Sequence, residues 1–415
     1  MFRRLSKQFK ELTARSPRLS TMRSGTGAIS NRAASGAGTV PLPTGALGAT
    51  TEEPPPGLRT SSFLCFNSTT NSWQPASTTI VPAEDASAIT STDQPALQAT
   101  ILTWNVWFSP HEQSARSQAL LNSVLDSQLG VDIVCFQEVE TKFWQAVLQN
   151  EVLRQDWLVS NWAQQQRSNW YGTTVMVRRG FLTRLSTSRG GAGAGPPIKL
   201  DCEILPYVGS KMGRQLLIAR ISVPKKGQTG GSQAGPQSAT GASEWETILT
   251  VTSTHLESYL TDAPQRGEQI QAALSVFGDG SQQPRSTTVW CGDSNIASYD
   301  ELAELLRSGF VDSLRVAQAN KFSASYLVGE NEAEALYRTL PTFGTTYPVP
   351  DEPIPKRIDY VLVRNADVLT SHRLGDEPVG EVHDSKGRDG RTFPSDHLGV
   401  CTVIQLPREW GIAPF

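Results

Sequence analysis

From residue 98 onward the chain alternates short apolar runs with stretches whose apolar residues recur every three or four positions. The short runs are "ATILTWNVWF", "VDIVCFQEV", "GTTVMVRR", "QLLIARISV", "ETILTVTSTHL", "STTVWCG", "RIDYVLV" and "HLGVCTVIQL". Rich in β-branched and aromatic residues, they predict buried strands. Helical spacing marks Ser114–Leu129, where Leu120, Leu121, Val124, Leu125 and Leu129 fall on one face. Further helices are predicted over residues 264–277 and 300–307. Two glycine-rich interruptions, "RGGAGAGPP" and "KKGQTGGSQAGPQSATGAS", fall between strands and read as surface insertions. The second is expected to join two adjacent strands in a long hairpin. Many strands with few helices between them predict a layered α/β sandwich rather than strict βαβ repetition. No internal repeat is evident.

Before residue 98 the texture differs. Residues 36–97 are rich in Ser, Thr, Gly, Ala and Pro and read as a mostly disordered linker. "SSFLCFNSTTNSWQPAS" stands apart, with enough aromatic content to dock on something folded. Residues 1–35 carry eight basic side chains and one acid, Glu11, with Phe2, Leu5, Phe9 and Leu12 at helical spacing. That segment fits a mitochondrial transit peptide, and equally a basic arm for nucleic acid or nuclear import. A folded domain over residues 98–407 and a tail over 408–415 complete the expected organisation.

Bulk composition narrows the picture. At 38% hydrophobic, with ten Trp and fourteen Phe, the chain can bury a large core. A net charge of −3 excludes a polycation, so contact with nucleic acid must come from a local groove or a tail. The five cysteines form no C-x-x-C pair, and three sit inside apolar runs, which points to a reducing compartment without a disulfide framework. Nucleus or mitochondrion is therefore the expected location, not secretion. No apolar run approaches the roughly 18 residues of a membrane span.

The chemistry is concentrated at the ends of the predicted strands. The first ends in Asn105, the second in Gln137-Glu138, "TVTSTHLES" in His255, and "TTVWCGDSN" in Asp293 and Asn295. "RIDYVLV" carries Asp359 near its start, and "SDHLGV" presents Asp396 and His397 before the last run. Each alone reads as a turn, a helix cap or a core histidine. Six strand ends of this kind are hard to explain as six independent turns. Carboxylate and amide oxygens with few soft ligands suit Mg²⁺ or Mn²⁺; zinc would want clustered His or Cys. Around such a cation, two His, two Asn and several acids are the parts needed to hydrolyse a phosphate ester. A P-loop and a G-x-G-x-x-G after a strand are both missing, which disfavours nucleotide-driven phosphoryl transfer.

Taken in order, "TWN", "FQEV", "THLES", "GDSN", "RIDYVLV" and "SDHLGV" resemble the endonuclease/exonuclease/phosphatase superfamily, across residues 98–407. Within it they look most like the type 2 tyrosyl-DNA phosphodiesterases, which release a tyrosine-linked protein remnant from a DNA 5′ end. The resemblance implies a four-layer α/β/β/α sandwich with two mixed, mainly antiparallel sheets, like deoxyribonuclease I. It also implies Mg²⁺ held by Glu138 with Asn105 beside it and Asp396 near the metal. Asp293 would orient and activate water, and Asn295 would hold a phosphate oxygen. His397, held by Asp359, would contact the scissile phosphate, with His255 on the opposite side. Arg266 occupies a position where relatives often carry arginine, although a packing arginine reads equally well.

One departure is Trp107, where vertebrate-type members carry an acid near the metal. Trp107 would instead line the substrate groove, since stacking on bases is typical of single-strand binding. Trp170 and Tyr171 are similar candidates, with ordinary core packing the preferred reading of Trp170. The implied partner is a DNA 5′ end, single-stranded ends included. Two alternatives stay open: a phosphoinositide or sphingomyelin-type substrate on the same fold, and an inactive nucleic-acid-binding scaffold. The intact acid, amide and imidazole set argues against the scaffold.

Overall fold

A computed structural model describes residues 57–80, 97–161, 171–190, 195–225, 244–277, 286–296, 298–322, 340–347, 355–383 and 389–407. The basic N-terminal segment, Trp170 and the tail from 408 lie outside the described residues. Strands run in chain order as β1 (Arg59–Ser61), β2 (Phe63–Asn67), β3 (Ser72–Pro75), β4 (Thr79–Ile80), β5 (Gln98–Asn105) and β6 (Ile133–Glu140). They continue as β7 (Trp157–Ser160), β8 (Tyr171–Arg178), β9 (Ile198–Pro206), β10 (Gln215–Pro224), β11 (Trp245–His255) and β12 (Thr287–Asp293). The C-terminal part supplies β13 (Val311–Asp312), β14 (Asp359–Arg364), β15 (Asp367–Leu374), β16 (Gly380–His383), β17 (Asp389–Thr392) and β18 (Gly399–Gln405). Helices are α1 (Gln113–Leu125), α2 (Thr141–Gln149), α3 (Glu151–Asp156), α4 (Arg179–Gly190), α5 (Ala263–Phe277), α6 (Tyr299–Arg307) and α7 (Ser313–Phe322).

Two large sheets result. One is ordered β1-β9-β10-β11-β12-β14-β13 with β4 also on β9; the other is β15-β18-β5-β6-β8-β7-β2-β3. Only β5·β6 and β11·β12 pair in parallel among the described strands; the rest are antiparallel. Alternation along the strands divides the apolar residues among three cores. Ile101, Ile133, Val175, Leu217, Val251 and Val361 face one another between the sheets. Leu102, Val134 and Met176 point the other way, onto Leu120 and Leu121 of α1 and Phe143 of α2. On the opposite flank Ile218, Trp290 and Leu362 pack against Ile270 of α5 and Leu302 of α6. Helix, sheet, sheet, helix is the expected four-layer sandwich.

Several boundaries differ from expectation for local reasons. The first helix stops at Leu125, short of Leu129, because Asp126 is extended and its carboxylate accepts from Gln128 N at 2.8 Å to start a turn. β10 and β11 are antiparallel neighbours, so the long glycine-rich insertion does connect a hairpin. The aromatic segment ahead of residue 98 also enters the fold. β1 and β4 pair with β9 in one sheet, while β2 pairs with β7 and β3 in the other. Phe63 faces the inter-sheet core, and Leu64 and Trp73 face the helices. The sheets thus take in residues that precede the expected start at 98. All five cysteines are free thiols. No helix among the described residues is long and apolar enough to cross a membrane.

Gly292, which follows "TVWC", lies inside β12. Its φ is 138°, and a Cβ there would sit 2.0 Å from the Thr254 carbonyl oxygen on the parallel neighbour. Glycine is required by close backbone approach, which lets β11 and β12 end side by side. Gly292→Ala should therefore lower unfolding stability by about 3 kcal/mol in a denaturant titration. A change under about 0.5 kcal/mol would mean that the two strand ends are free to separate.

Candidate active site

Strand direction alone gathers the polar ends. In one sheet the register places His255 beside Asp293 and Asp293 beside Asp359, a row across β11, β12 and β14. In the other, Asn105 ends β5 beside Gln137 of β6, and the residues leading into antiparallel β18 arrive next to it. Parallel strands contribute their C-terminal ends and antiparallel neighbours their N-terminal ends, so one edge of the sandwich receives all of them. Gln137 donates to Ser253 Oγ of the facing sheet at 3.1 Å, fastening the two layers just below this edge.

Asp293 is the hub, buried and reached by three donors. Asn105 Nδ2 lies 2.9 Å from Oδ2, Asn295 N lies 3.1 Å from Oδ1, and His255 Nε2 lies 3.3 Å from Oδ2. Arg214 Nη1 lies 2.6 Å from His255 Nδ1. Since guanidinium only donates, Nδ1 must accept, so Nε2 carries the imidazole proton and donates to Asp293. Burial, then the charges of Arg214 and His397, hold the His255 pKa well below its ordinary value, so it is neutral. Burial and the Asp359 charge push Asp293 up to about 7, against the pull of His397 and Asn105.

His397 behaves in the opposite way. Its Nδ1 lies 2.8 Å from Asp359 Oδ2, and its Nε2 lies 3.8 Å from Asp293 Oδ2. Burial pulls its pKa down, but Asp359, Asp293 and Asp396 outweigh that and hold it well above the ordinary range. The backbone is fixed at two points: Trp104 Nε1 donates to its carbonyl at 3.0 Å, and Ser395 Oγ accepts its N–H at 3.1 Å. His397 is thus a clamped imidazolium, and its Nε2 faces the hub.

Cation-holding capacity lies to one side of this pair. Asp293, Asp359 and His397 offer ligand atoms within 4.8 Å of one another. They are a poor metal site, because an imidazolium bonded to Asp359 has no lone pair to give. Glu138 suits the task better. A register shift between Phe136 and Val139, with Glu138 at φ 58°, turns its side chain out of the ladder toward the hub. Phe108 N donates to its Oε2 at 3.1 Å, and its Oε1 lies 4.0 Å from His255 Nε2. Asp396 is also buried, and its pKa is pushed up to about 7 by burial and by Glu138. A half-buried Glu138 next to a buried Asp396 fits a hard divalent cation, which would relieve their repulsion.

The remaining expected residues are placed as follows. Asn295, at φ 48°, turns its amide onto Leu256 O at 3.1 Å and Ser258 Oγ at 3.4 Å, tying down the loop after His255. Trp107, at φ 56°, lies under Arg116 at 4.5 Å and against Tyr347 at 4.7 Å, beside the Asp396 side of the cluster. Arg266 is corrected: it is fully buried, forks onto Glu301 at 2.6 and 3.1 Å, and donates to the carbonyls of Glu257 and Tyr259. With its donors committed it clamps α5 to α6, and substrate contact gives way to packing.

Sequence reasoning missed Arg214 and undervalued Tyr171. Both lie at the N-terminal ends of antiparallel strands, β10 and β8, where the site edge is built, and that position was the available signal. They line a pocket with Met212 and His255. The Arg214 guanidinium sits 5.3 Å over the Tyr171 ring, its Nη2 donates to Ser258 Oγ at 2.8 Å, and Phe108 stacks on the ring at 5.6 Å.

Comparison with known proteins agrees with this architecture. Residues 102–397 match the endonuclease/exonuclease/phosphatase family. No curated protein matches the sequence. TDP2 from C. elegans superposes with a TM-score of 0.50 at 16% identity, covering 76% of this chain and 78% of that one. D. rerio TDP2 complexed with single-strand DNA product gives 0.49 at 18% identity, covering 74% and 98%. A family protein from Bacteroides thetaiotaomicron gives 0.48 at 12% identity, covering 75% and 99%.

The buried acids set a sign for metal binding. Asp293 and Asp396 rise from 3.8 to about 7, so the native state keeps protons that the unfolded chain sheds. Metal-free stability should therefore fall as pH climbs from about 4 to about 7. Because a cation binds the ionised carboxylates, Mg²⁺ should raise the melting temperature more at about pH 8 than at about pH 5.5. An Mg²⁺ effect of equal size at both would remove Asp396 from the metal site.

Proposed function

The chain belongs to the endonuclease/exonuclease/phosphatase family, and on that premise we propose that it is a divalent-metal-dependent phosphodiesterase releasing 5′-tyrosyl adducts from DNA. The observation that carries the tyrosyl reading is the surface formed by Tyr171, Met212 and Arg214 beside the Asp293–His255 pair. It offers an aromatic ring, a thioether and a guanidinium, the complement of a phenol that gains negative charge as it leaves. On the far side, Trp107 and Tyr347 supply aromatic faces for bases of the retained strand.

The reaction follows from the charges already described. Water attacks the phosphorus, and its proton passes to the Asp293 carboxylate, whose value near 7 suits a base at neutral pH. Neutral His255 and Asn105 fix that carboxylate without neutralising it. The His397 imidazolium, kept charged by Asp359, donates from Nε2 to a non-bridging phosphate oxygen. The bond from phosphorus to the tyrosyl oxygen breaks and the electron pair leaves with the phenolate, facing Arg214. Glu138 and Asp396 would hold a Mg²⁺ or Mn²⁺ ion, which when bound neutralises charge on the phosphate oxygens. Asn295 positions Asp293 through its backbone, and its amide would contact phosphate only by leaving Leu256 and Ser258.

A 5′-phosphotyrosyl oligonucleotide and an abasic-site duplex, assayed side by side in Mg²⁺, test the reading. Tyrosine should be released, and Asp293→Asn should lower kcat by about 10²–10⁴. Cleavage of the abasic duplex alone would keep the phosphodiesterase and overturn the tyrosyl assignment. Turnover only of a phosphoinositide or sphingomyelin would move the substrate to lipid.

A further inference from the structure

Glu257, two residues after His255, is fully buried and has no part in the reaction described above. A carboxylate is costly to bury, and an apolar side chain of similar size would fill the space more cheaply. What the carboxylate adds is direction. Its Oε1 accepts from Ser210 Oγ at 2.6 Å, from Lys211 N at 2.8 Å and from Met212 N at 3.3 Å. All three donors lie in the tip of the β9–β10 hairpin, residues 207–214. Val208, Gly209 and Lys211 of that tip are exposed, so its geometry depends on bonds made from beneath. One buried oxygen collects them.

Ser210 passes the constraint to Arg214. The hydroxyl that donates to Glu257 also accepts from Arg214 N, at 2.7 Å. Tyr207 N donates to Arg214 O at 3.1 Å, which closes the hairpin around the arginine. The guanidinium then reaches Ser258 Oγ at 2.8 Å and His255 Nδ1 at 2.6 Å. Glu257 is itself anchored to α5. Its N–H donates to Gln269 Oε1 at 3.1 Å, and its carbonyl accepts from Arg266 Nη1 at 3.0 Å. Since Arg266 forks onto Glu301, bonded steps run unbroken from α6 to the imidazole of His255.

We propose that Glu257 and Ser210 are positioning residues for the reaction: they hold Arg214 on His255 Nδ1, and so keep the imidazole proton on Nε2, facing Asp293. The catalytic consequence rests on the phosphodiesterase reading above, whereas the tautomer is a property of the chain alone. Without an acceptor at Oε1 the tip loses three bonds, Arg214 withdraws, and Nδ1 is free to carry the proton. An imidazole with its proton on Nδ1 has none to give Asp293 from Nε2. The general base then loses one of the donors that orient it. Both residues act through Arg214, not on the substrate.

Imidazole ¹⁵N NMR of the full chain, at about pH 7.5 and without substrate, reads the tautomer directly. Glu257→Leu should convert His255 from the Nε2–H form to a mixture of the two. Glu257→Gln keeps an acceptor at Oε1 and should restore the Nε2–H form. Ser210→Ala removes a single hydroxyl at a half-buried position, and should shift the tautomer in the same direction by less. If Glu257→Leu does not fold, Ser210→Ala decides. On a 5′-phosphotyrosyl oligonucleotide, Glu257→Leu should lower kcat by about 10–10², the scale of a misplaced catalytic group, with Ser210→Ala between it and the unmodified chain. A tautomer that stays on Nε2 in Glu257→Leu and Ser210→Ala, with only the melting temperature lowered, would overturn the proposal. So would a shifted tautomer with kcat unchanged, or a Glu257→Gln chain shifted as far as Glu257→Leu. A shifted tautomer in a chain that never hydrolyses the oligonucleotide, even unmodified, would uphold the relay and overturn the tyrosyl substrate instead.

Discussion

The site depends on one buried charge, the carboxylate of Asp293, which draws hydrogen bonds from both sheets. Asn105 reaches it from the end of β5, and His255 from its own sheet, at 2.9 and 3.3 Å. A buried carboxylate without donors would cost several kcal/mol. The sandwich can therefore close at this edge only when the two sheets are in the register that brings those donors in. Gln137 and Ser253 repeat the requirement one layer down. The register that closes the core is the register that assembles the site.

From that constraint the electrostatics divide into two sides. His255 is neutral because it is buried and Arg214 occupies its Nδ1, whereas His397, although equally buried, is cationic because Asp359 occupies the same atom. One imidazole therefore orients the base and the other offers charge to a phosphate. Glu138 and Asp396 carry the excess negative charge that a divalent cation would relieve. Backbone in the left-handed region at Trp107, Glu138 and Asn295 shows where side chains are turned out of regular strands to serve this edge.

Most of the layered fold was legible because its strands are apolar runs ending in polar residues. Asn105, Glu138, His255, Asp293, Asp359 and His397 converge for the reason that made them visible, a polar group placed where a strand stops. Residues acting through tertiary contact were harder to see. Arg266 has the composition of a phosphate ligand, and only the position of Glu301 on α6 shows that its fork is already filled. Arg214 precedes a strand without a distinctive motif, so its place over Tyr171 was hidden. β1 and β2 were obscured because they lie within a Ser- and Pro-rich stretch, and their pairing with β9 and β7 is non-local. The close strand approach that requires glycine at 292 leaves no trace in a single chain.

The opposite protonation of the two histidines is the central claim, and ¹⁵N NMR of the imidazole rings across pH tests it most directly. His397 should remain an imidazolium well above the ordinary value of 6.5, and His255 should stay neutral with its proton on Nε2 throughout the neutral range. Titration of both near the ordinary value of 6.5 would contradict the account. Asp293 would then lack the fixed donor on one side and the fixed cation on the other.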